Sequence, residues 1–185
     1  MKKRIYTVLD LETTGLTAHK NGITEIAAVK FDGESIIDRY QTLIHPGRTI
    51  PLWIERLTGI TNEMVENAPK ISEIMPDFKI FLWEDPIVWH NVSFDFGFLN
   101  FYSYKITGEY LSNPTICTLK LARKLLPDLE NKKLCTVCDY FWVINDQAHR
   151  AMSDTLATVE VFQHFWEEFP EEMEEIIETI IEQEE

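Results

Sequence analysis

Asp10 and Glu12 are two carboxylates two residues apart at the end of a strand-like run, Arg4 to Leu11. In an extended strand that spacing sends both side chains off one face, roughly 6 to 7 Å apart along it, which suits chelation of metal. Two divalent cations about 3.5 to 4 Å apart can clamp the attacking and leaving oxygens of an in-line phosphoryl displacement. A solitary Asp-x-Glu is common by composition, and an acidic strand end meeting solvent accounts for most such pairs. This pair has company downstream. Asp95 closes the segment His90-Asn91-Val92-Ser93-Phe94-Asp95, and Asp154 closes His149-Arg150-Ala151-Met152-Ser153-Asp154. Taken singly, each suits the first turn of a helix, where the dipole and free amides favour an acid.

Asp10-Leu11-Glu12-Thr13-Thr14-Gly15-Leu16, then Ile23-Thr24-Glu25-Ile26-Ala27-Ala28, then the two downstream segments, occur in an ordered series. The series resembles the Exo I, Exo II and Exo III motifs of the DnaQ-like, or DEDDh, 3′-to-5′ exonucleases. That family includes the proofreading epsilon subunit of bacterial DNA polymerase III. The likeness runs from Arg4 to about Phe165 and takes in Ile50-Pro51 through Leu57-Thr58-Gly59-Ile60-Thr61. It implies an RNase H-like sheet that gathers Asp10, Glu12, Asp95 and Asp154 in one cleft. Like charges ~4 Å apart repel by about 4 kcal/mol at an effective dielectric of 20, so such a cluster calls for cations. Hard oxygen ligands favour Mg²⁺ or Mn²⁺ over zinc. The family pattern implies two ions, bridged by Asp10, with Glu12 and Asp154 completing the nucleophile side and Asp95 bound directly or through water. His149 precedes Asp154 by five positions, which a helix would turn ~140° apart, so it belongs on the preceding loop. Imidazole suits a general base near neutrality.

Thr13, Gly15 and Leu16 are expected to floor the terminal nucleotide, Gly15 by close backbone approach and Leu16 by packing on the base. Phe94 is either a substrate contact or core. His90 and Asn91 are expected to organise the strand end, with Asn91 a candidate phosphate contact. The resemblance implies hydrolysis of the terminal phosphodiester at single-stranded DNA 3′ ends, releasing nucleoside 5′-monophosphates in proofreading or repair. The same motifs serve RNA 3′ ends and short oligonucleotides. A noncatalytic subunit that docks a polymerase would normally lose a ligand, whereas all five catalytic positions are intact here.

The elements that must position these residues follow from periodicity and breakers. Strands are expected over Arg4–Leu11, Ile23–Phe31 and Ser35–Ile44, with Asp32-Gly33 as a two-residue hairpin turn. Two short helices follow, Leu52–Leu57 and Asn62–Glu66, the second capped by Thr61. A helix over Ile71–Trp83 leads into the strand Ile87-Val88-Trp89, and Ser93 caps a helix from Phe94 to about Lys105. Further helices cover Leu119–Leu126, Leu134–Phe141 and Met152–Trp166. The architecture is α/β: a mixed sheet with a three-strand antiparallel start, then parallel strands, and helices on both faces. Residues 1–169 form the exonuclease domain. Residues 170–185 form an acidic helix whose Met173, Ile176, Ile177, Ile180 and Ile181 fall on one stripe. That stripe either packs on the domain or docks a partner such as a polymerase subunit.

A chain of 185 residues, 45% hydrophobic and 26% charged, fits one folded domain. Three cysteines and no secretory leader point to a reducing, cytoplasmic location. No stretch approaches the ~20 apolar residues of a membrane span. Cys135-Thr136-Val137-Cys138 has Cys-x-x-Cys spacing, but Leu134, Val137, Cys138 and Phe141 mark one apolar helical face, so buried thiols are expected rather than zinc or redox chemistry. The net charge of −14 sits awkwardly with a polyanionic substrate. However, 11 of the 31 acids follow residue 159, where no Lys or Arg occurs, leaving 20 acids against 17 bases before it. Bound divalent cations would turn the cleft itself positive. Lys120, Arg123, Lys124, Lys132, Lys133 and Arg150 either track a nucleic-acid backbone or form a solvated face.

Overall fold

The computed structural model describes residues 4–182, apart from the side chains of Val92 and Ser93. Its strands are β1 (Tyr6–Thr13), β2 (Ile23–Phe31), β3 (Ile36–Leu43), β4 (Ile87–Trp89) and β5 (Thr115–Cys117). They form a sheet in the order β3-β2-β1-β4-β5. β1, β2 and β3 pair antiparallel, then β4 and β5 join parallel to β1. The mixed sheet expected from the hairpin-then-alternation pattern is therefore present, but β5 had no counterpart in the sequence reading. β4 is as short but is a wholly apolar run, Ile87-Val88-Trp89, whereas Thr115-Ile116-Cys117 has a single large aliphatic residue to mark it. The hairpin turn is also longer than expected. Asp32 to Ser35 separate the strands, and Asp32 Oδ1 accepts from the Glu34 and Ser35 N–H groups at 3.0 and 2.8 Å. Gly33 takes φ 96°, the left-handed side that glycine adopts without cost.

The helices are α1 (Leu52–Thr58), α2 (Asn62–Val65), α3 (Ile71–Leu82), α4 (Val92–Thr107), α5 (Thr118–Leu125), α6 (Leu134–Phe141), α7 (Ala151–Glu168) and α8 (Pro170–Glu182). Alternation along β1 divides the core in two. Tyr6 and Val8 join Val29, Phe31, Val88 and Ile116 beneath α5 to α8. Leu9 and Leu11 join Ile26, Ala28, Ile87 and Trp89 beneath α3 and α4. A small satellite of Ile50, Ile54, Ile60 and Val65 closes α1 and α2, and Thr61 caps α2 by accepting from the Met64 N–H at 3.3 Å.

Three details bear on the site. α7 lies directly on the sheet at Ala27, whose carbonyl accepts from Thr155 Oγ1 at 3.3 Å; a larger side chain at Ala27 would hold the helix off. α4 begins at Val92, earlier than the expected Phe94, because Asn91 turns the chain at φ 67°, a left-handed conformation that asparagine tolerates. The Ser93 side chain expected to cap it lies outside the described residues. In α8, Met173 and Ile177 are buried, and Ile176, Ile180 and Ile181 pack partly buried against the same cluster as α7.

The Cys-x-x-Cys pair is split. Cys138 is buried with Val137 and Phe141, and its thiol is pushed up to about 12, chiefly by burial. Cys135 is exposed, contrary to the expectation that both thiols are inside, because it faces away from that apolar stripe; both are free. Among the described residues no helix is long and apolar enough to cross a membrane.

Candidate metal centre

Asp10 and Glu12 continue the face of Tyr6 and Val8 past the last apolar position, so both carboxylates leave the sheet on the side that α7 covers. Their cross-strand partners in β2 are Ala27 and Glu25. α7 brings Asp154 down in its first turn, and carboxylate oxygens of Asp10, Glu12 and Asp154 lie within 4.8 Å of one another. β4 runs parallel to β1, pairing Thr7 with Ile87 and Val8 with Val88, so the start of α4 stands at the same end of the sheet. Asp95, in the first turn of α4, is 5% exposed. It falls outside the 4.8 Å set, yet among the neighbouring charges it acts most strongly on Asp10.

Four acids crowded out of water resist ionisation. Burial, followed by repulsion from Asp95, Glu12 and Asp154, holds Asp10 well above the usual carboxylate range. Burial and the charges of Asp154 and Glu25 push Glu12 to about 9, and burial pushes Asp95 to about 8. Asp154 is raised too, again by burial, although two hydrogen bonds oppose the shift. A cluster of hard, converging carboxylate oxygens that cannot all be charged alone fits a divalent cation with oxygen preference.

His149 lies on the turn before α7, where its five-residue offset from Asp154 placed it. Its backbone is left-handed at φ 66°, its side chain is exposed, and its N–H donates to Asp154 Oδ2 at 2.9 Å. The other oxygen, Oδ1, accepts from Asn145 Nδ2 at 2.6 Å, and Asn145 Oδ1 in turn accepts from Ser153 Oγ at 2.6 Å. Sequence reasoning missed Asn145, which carries no periodic or spacing signal. It also gave Glu25 no role, although a charge inside the largely apolar strand Ile23–Val29 announces a buried partner. That partner is Arg150. Its Nε and Nη2 donate to Glu25 at 3.1 and 3.0 Å, joined by the Ala151 N–H at 3.1 Å and Gln41 Nε2 at 3.0 Å. Burial pushes the Glu25 carboxyl up, but these donors outweigh it and hold the group below its ordinary value.

The expected substrate residues divide. Leu16 is 76% exposed on the loop after β1, open to a base. Thr13 is buried and donates to the Gly15 carbonyl at 2.8 Å. Gly15 is crowded from its own chain: a Cβ there would stand 2.5 Å from Asn21 Oδ1. Phe94 is partly buried, its ring 5.3 Å from that of Phe98, and the Asn91 side chain is exposed beside the acidic end. His90 organises the strand end: Nδ1 meets Thr118 Oγ1 and Nε2 meets the Lys132 carbonyl, both at 2.9 Å. Of the late basic residues, Arg150 is committed to Glu25, and Lys132 Nζ donates to the Pro127 and Leu129 carbonyls.

A family model described as exonuclease (RNase T) matches residues 7–162. The chain is 39% identical over 163 residues to DNA polymerase III subunit epsilon of Aquifex aeolicus, covering 88% of this chain and 81% of that protein. It is 43% identical over 153 residues to the PolC-type DNA polymerase III of Oceanobacillus iheyensis, covering 83% of this chain but only 11% of that much longer protein. Among solved structures it is similar to exonuclease X in complex with 5′-overhanging duplex DNA. The TM-score is 0.74 at 27% identity, covering 89% of this chain and 93% of that one.

Proposed function

The chain belongs to the exonuclease family, and from that membership we propose that it removes nucleotides from the 3′ ends of single-stranded DNA, in proofreading or repair. The observation that carries this reading is the meeting of Asp10, Glu12 and Asp154 at one end of the sheet with His149 on the adjoining turn. Asp10, Glu12, Asp95 and Asp154 would hold two Mg²⁺ or Mn²⁺ ions. When bound, these would neutralise the carboxylates and the charge that develops on the phosphoryl oxygens.

The chain's own groups do the rest. His149 accepts a proton from the attacking water. The water oxygen bonds to the terminal phosphorus as the bond to the 3′ oxygen of the preceding nucleotide breaks, and that oxygen takes up a proton from solvent while His149 returns its own. The products are a nucleoside 5′-monophosphate and a strand one residue shorter with a free 3′ hydroxyl. Leu16 packs on the terminal base, with Thr13, Gly15 and Phe94 shaping the floor and Asn91 reaching a phosphate. Residues 1–169 form the catalytic domain, and α8, within the 170–185 tail, closes it. Association with a polymerase subunit fits the company its relatives keep, and a cytoplasmic location suits three free thiols.

The test is digestion of a labelled single strand with Mg²⁺ or Mn²⁺ present. A blocked 3′ end should stop cleavage and a blocked 5′ end should not. Matched ribo- and deoxyribo-oligonucleotides should favour DNA. Sensitivity to the 5′ block alone would reverse the polarity, and faster cutting of RNA would move the substrate to RNA ends.

A further inference from the structure

Glu25 lies opposite Glu12 across the β1–β2 ladder, a fifth carboxylate at the border of the cluster. It is 1% exposed and accepts from four donors. Three of those hydrogen bonds come from Arg150 and Ala151, the two residues that follow His149, at a sequence separation of 125 or 126. Asp154 takes two bonds from the same turn, accepting from the His149 N–H and donating its own N–H to the Arg150 carbonyl at 3.0 Å, and a third from outside it, from Asn145 Nδ2. His149 sits between these two anchorages in a left-handed turn, a conformation that costs a non-glycine residue energy and persists only where its surroundings enforce it.

We propose that Glu25 is a positioning residue for the general base: by gripping the Arg150 guanidinium and the Ala151 N–H it fixes the turn that aims His149 at the attacking water. The proposal rests on reading His149 as that base. Glutamate is required because all four of its hydrogen-bond partners are donors. A glutamine would keep one acceptor oxygen and turn N–H groups against N–H groups. Arginine is required because its fork meets both oxygens at once, which a lysine cannot do. The same grip keeps the Glu25 charge engaged with Arg150 rather than free to compete for cations.

The full-length protein is tested at saturating Mn²⁺ on a single-stranded DNA oligonucleotide, as wild type, Glu25→Gln, Arg150→Lys, His149→Ala and the Glu25→Gln/His149→Ala double variant. Glu25→Gln should lower kcat roughly 10- to 100-fold, the range for groups that orient a reacting side chain. KM, and the Mn²⁺ concentration that half-shifts the melting temperature, should stay within about threefold, because Asn145, which does not touch Glu25, still holds the Asp154 carboxylate. Arg150→Lys, which cuts the link from the other side and guards against misfolding of the first variant, should lower kcat by a smaller factor. In the His149→Ala background, Glu25→Gln should cost less than about threefold more, because groups acting as a unit are non-additive. Fully multiplicative losses in the double variant would overturn the proposal, as would a kcat loss that simply tracks melting temperature in both single variants. If His149→Ala is impaired while the Glu25 and Arg150 variants are not, the positioning role alone fails. If His149→Ala keeps wild-type kcat, the reading of the base fails and the proposal with it.

Discussion

At the scale of single residues, the acidic cluster sets function against stability. Asp10→Ala and Asp154→Asn should each abolish metal-dependent cleavage while the metal-free protein melts at the same temperature or higher, because each removes one of the repelling carboxyls. Near wild-type cutting by either variant would end the assignment of these acids to the metals. The same repulsion fixes a pH dependence. Glu12 moves from 4.5 to about 9, and Asp95 from 3.8 to about 8. A carboxyl whose folded pKa is the higher binds more protons folded than unfolded between the two values, so stability falls as pH rises through that interval. In chelator the melting temperature should therefore decline from about pH 4 to pH 9, the interval these two shifts define. Saturating Mg²⁺ should flatten the decline by replacing protons with a cation. A metal-free protein that grows more stable toward pH 9 would mean that these acids ionise independently.

At the scale of elements, α8 is the sharpest case. Its stripe read as a closing face first and a docking face second, and the buried Met173 and Ile177 now supply the means to separate them. Ile177→Ala should cost about 2 to 4 kcal/mol by leaving a cavity in the cluster shared with α7. Urea unfolding at constant m-value measures this; a change below about 0.5 kcal/mol, the usual bound for surface positions, would show that the stripe bears no load. What was legible in the chain follows apolar composition and spacing. β2 and α6 match their expected bounds, β2 as a run rich in Ile, Val and Ala and α6 as an apolar stripe at helical spacing. β4 was legible at three residues because all three are large and apolar, whereas β5 carries one such residue, Ile116. The start of α4 was misplaced because serine is the commoner cap, whereas here Asn91 turns the chain through its backbone and not its side chain. Asp10, Glu12, Asp95, His149 and Asp154 stood out through ordered motifs. Asn145 and the Glu25–Arg150 link did not, since a contact across 125 residues has no local signature.

At the scale of the whole molecule, charge is separated along α7. That helix begins at the metal centre and runs for 18 residues, about 27 Å at 1.5 Å per residue, before the chain turns into the acidic α8. The separation exceeds the Debye length of about 8 Å at physiological salt but not the roughly 30 Å at 0.01 M. Changing Glu171, Glu172, Glu174 and Glu175 to Gln should therefore raise kcat/KM for DNA at low ionic strength and leave it unchanged near 0.15 M. An equal gain at both salts would place the acidic face against the substrate. The path of the chain also orders events in time. The metal centre draws on β1, on the turn into α4 and on the first turn of α7, and the last of these arrives 144 residues after Asp10. At about 5 to 20 residues per second, synthesis takes roughly 7 to 30 s to cover that distance. A chain still on the ribosome carries Asp10 and Glu12 for most of that delay without His149, and for all of it without the Asp154 carboxylate. An enzyme that shortens nucleic acid is thus inert while it is being made, and its destructive capacity is switched on by the same docking of α7 that completes its core.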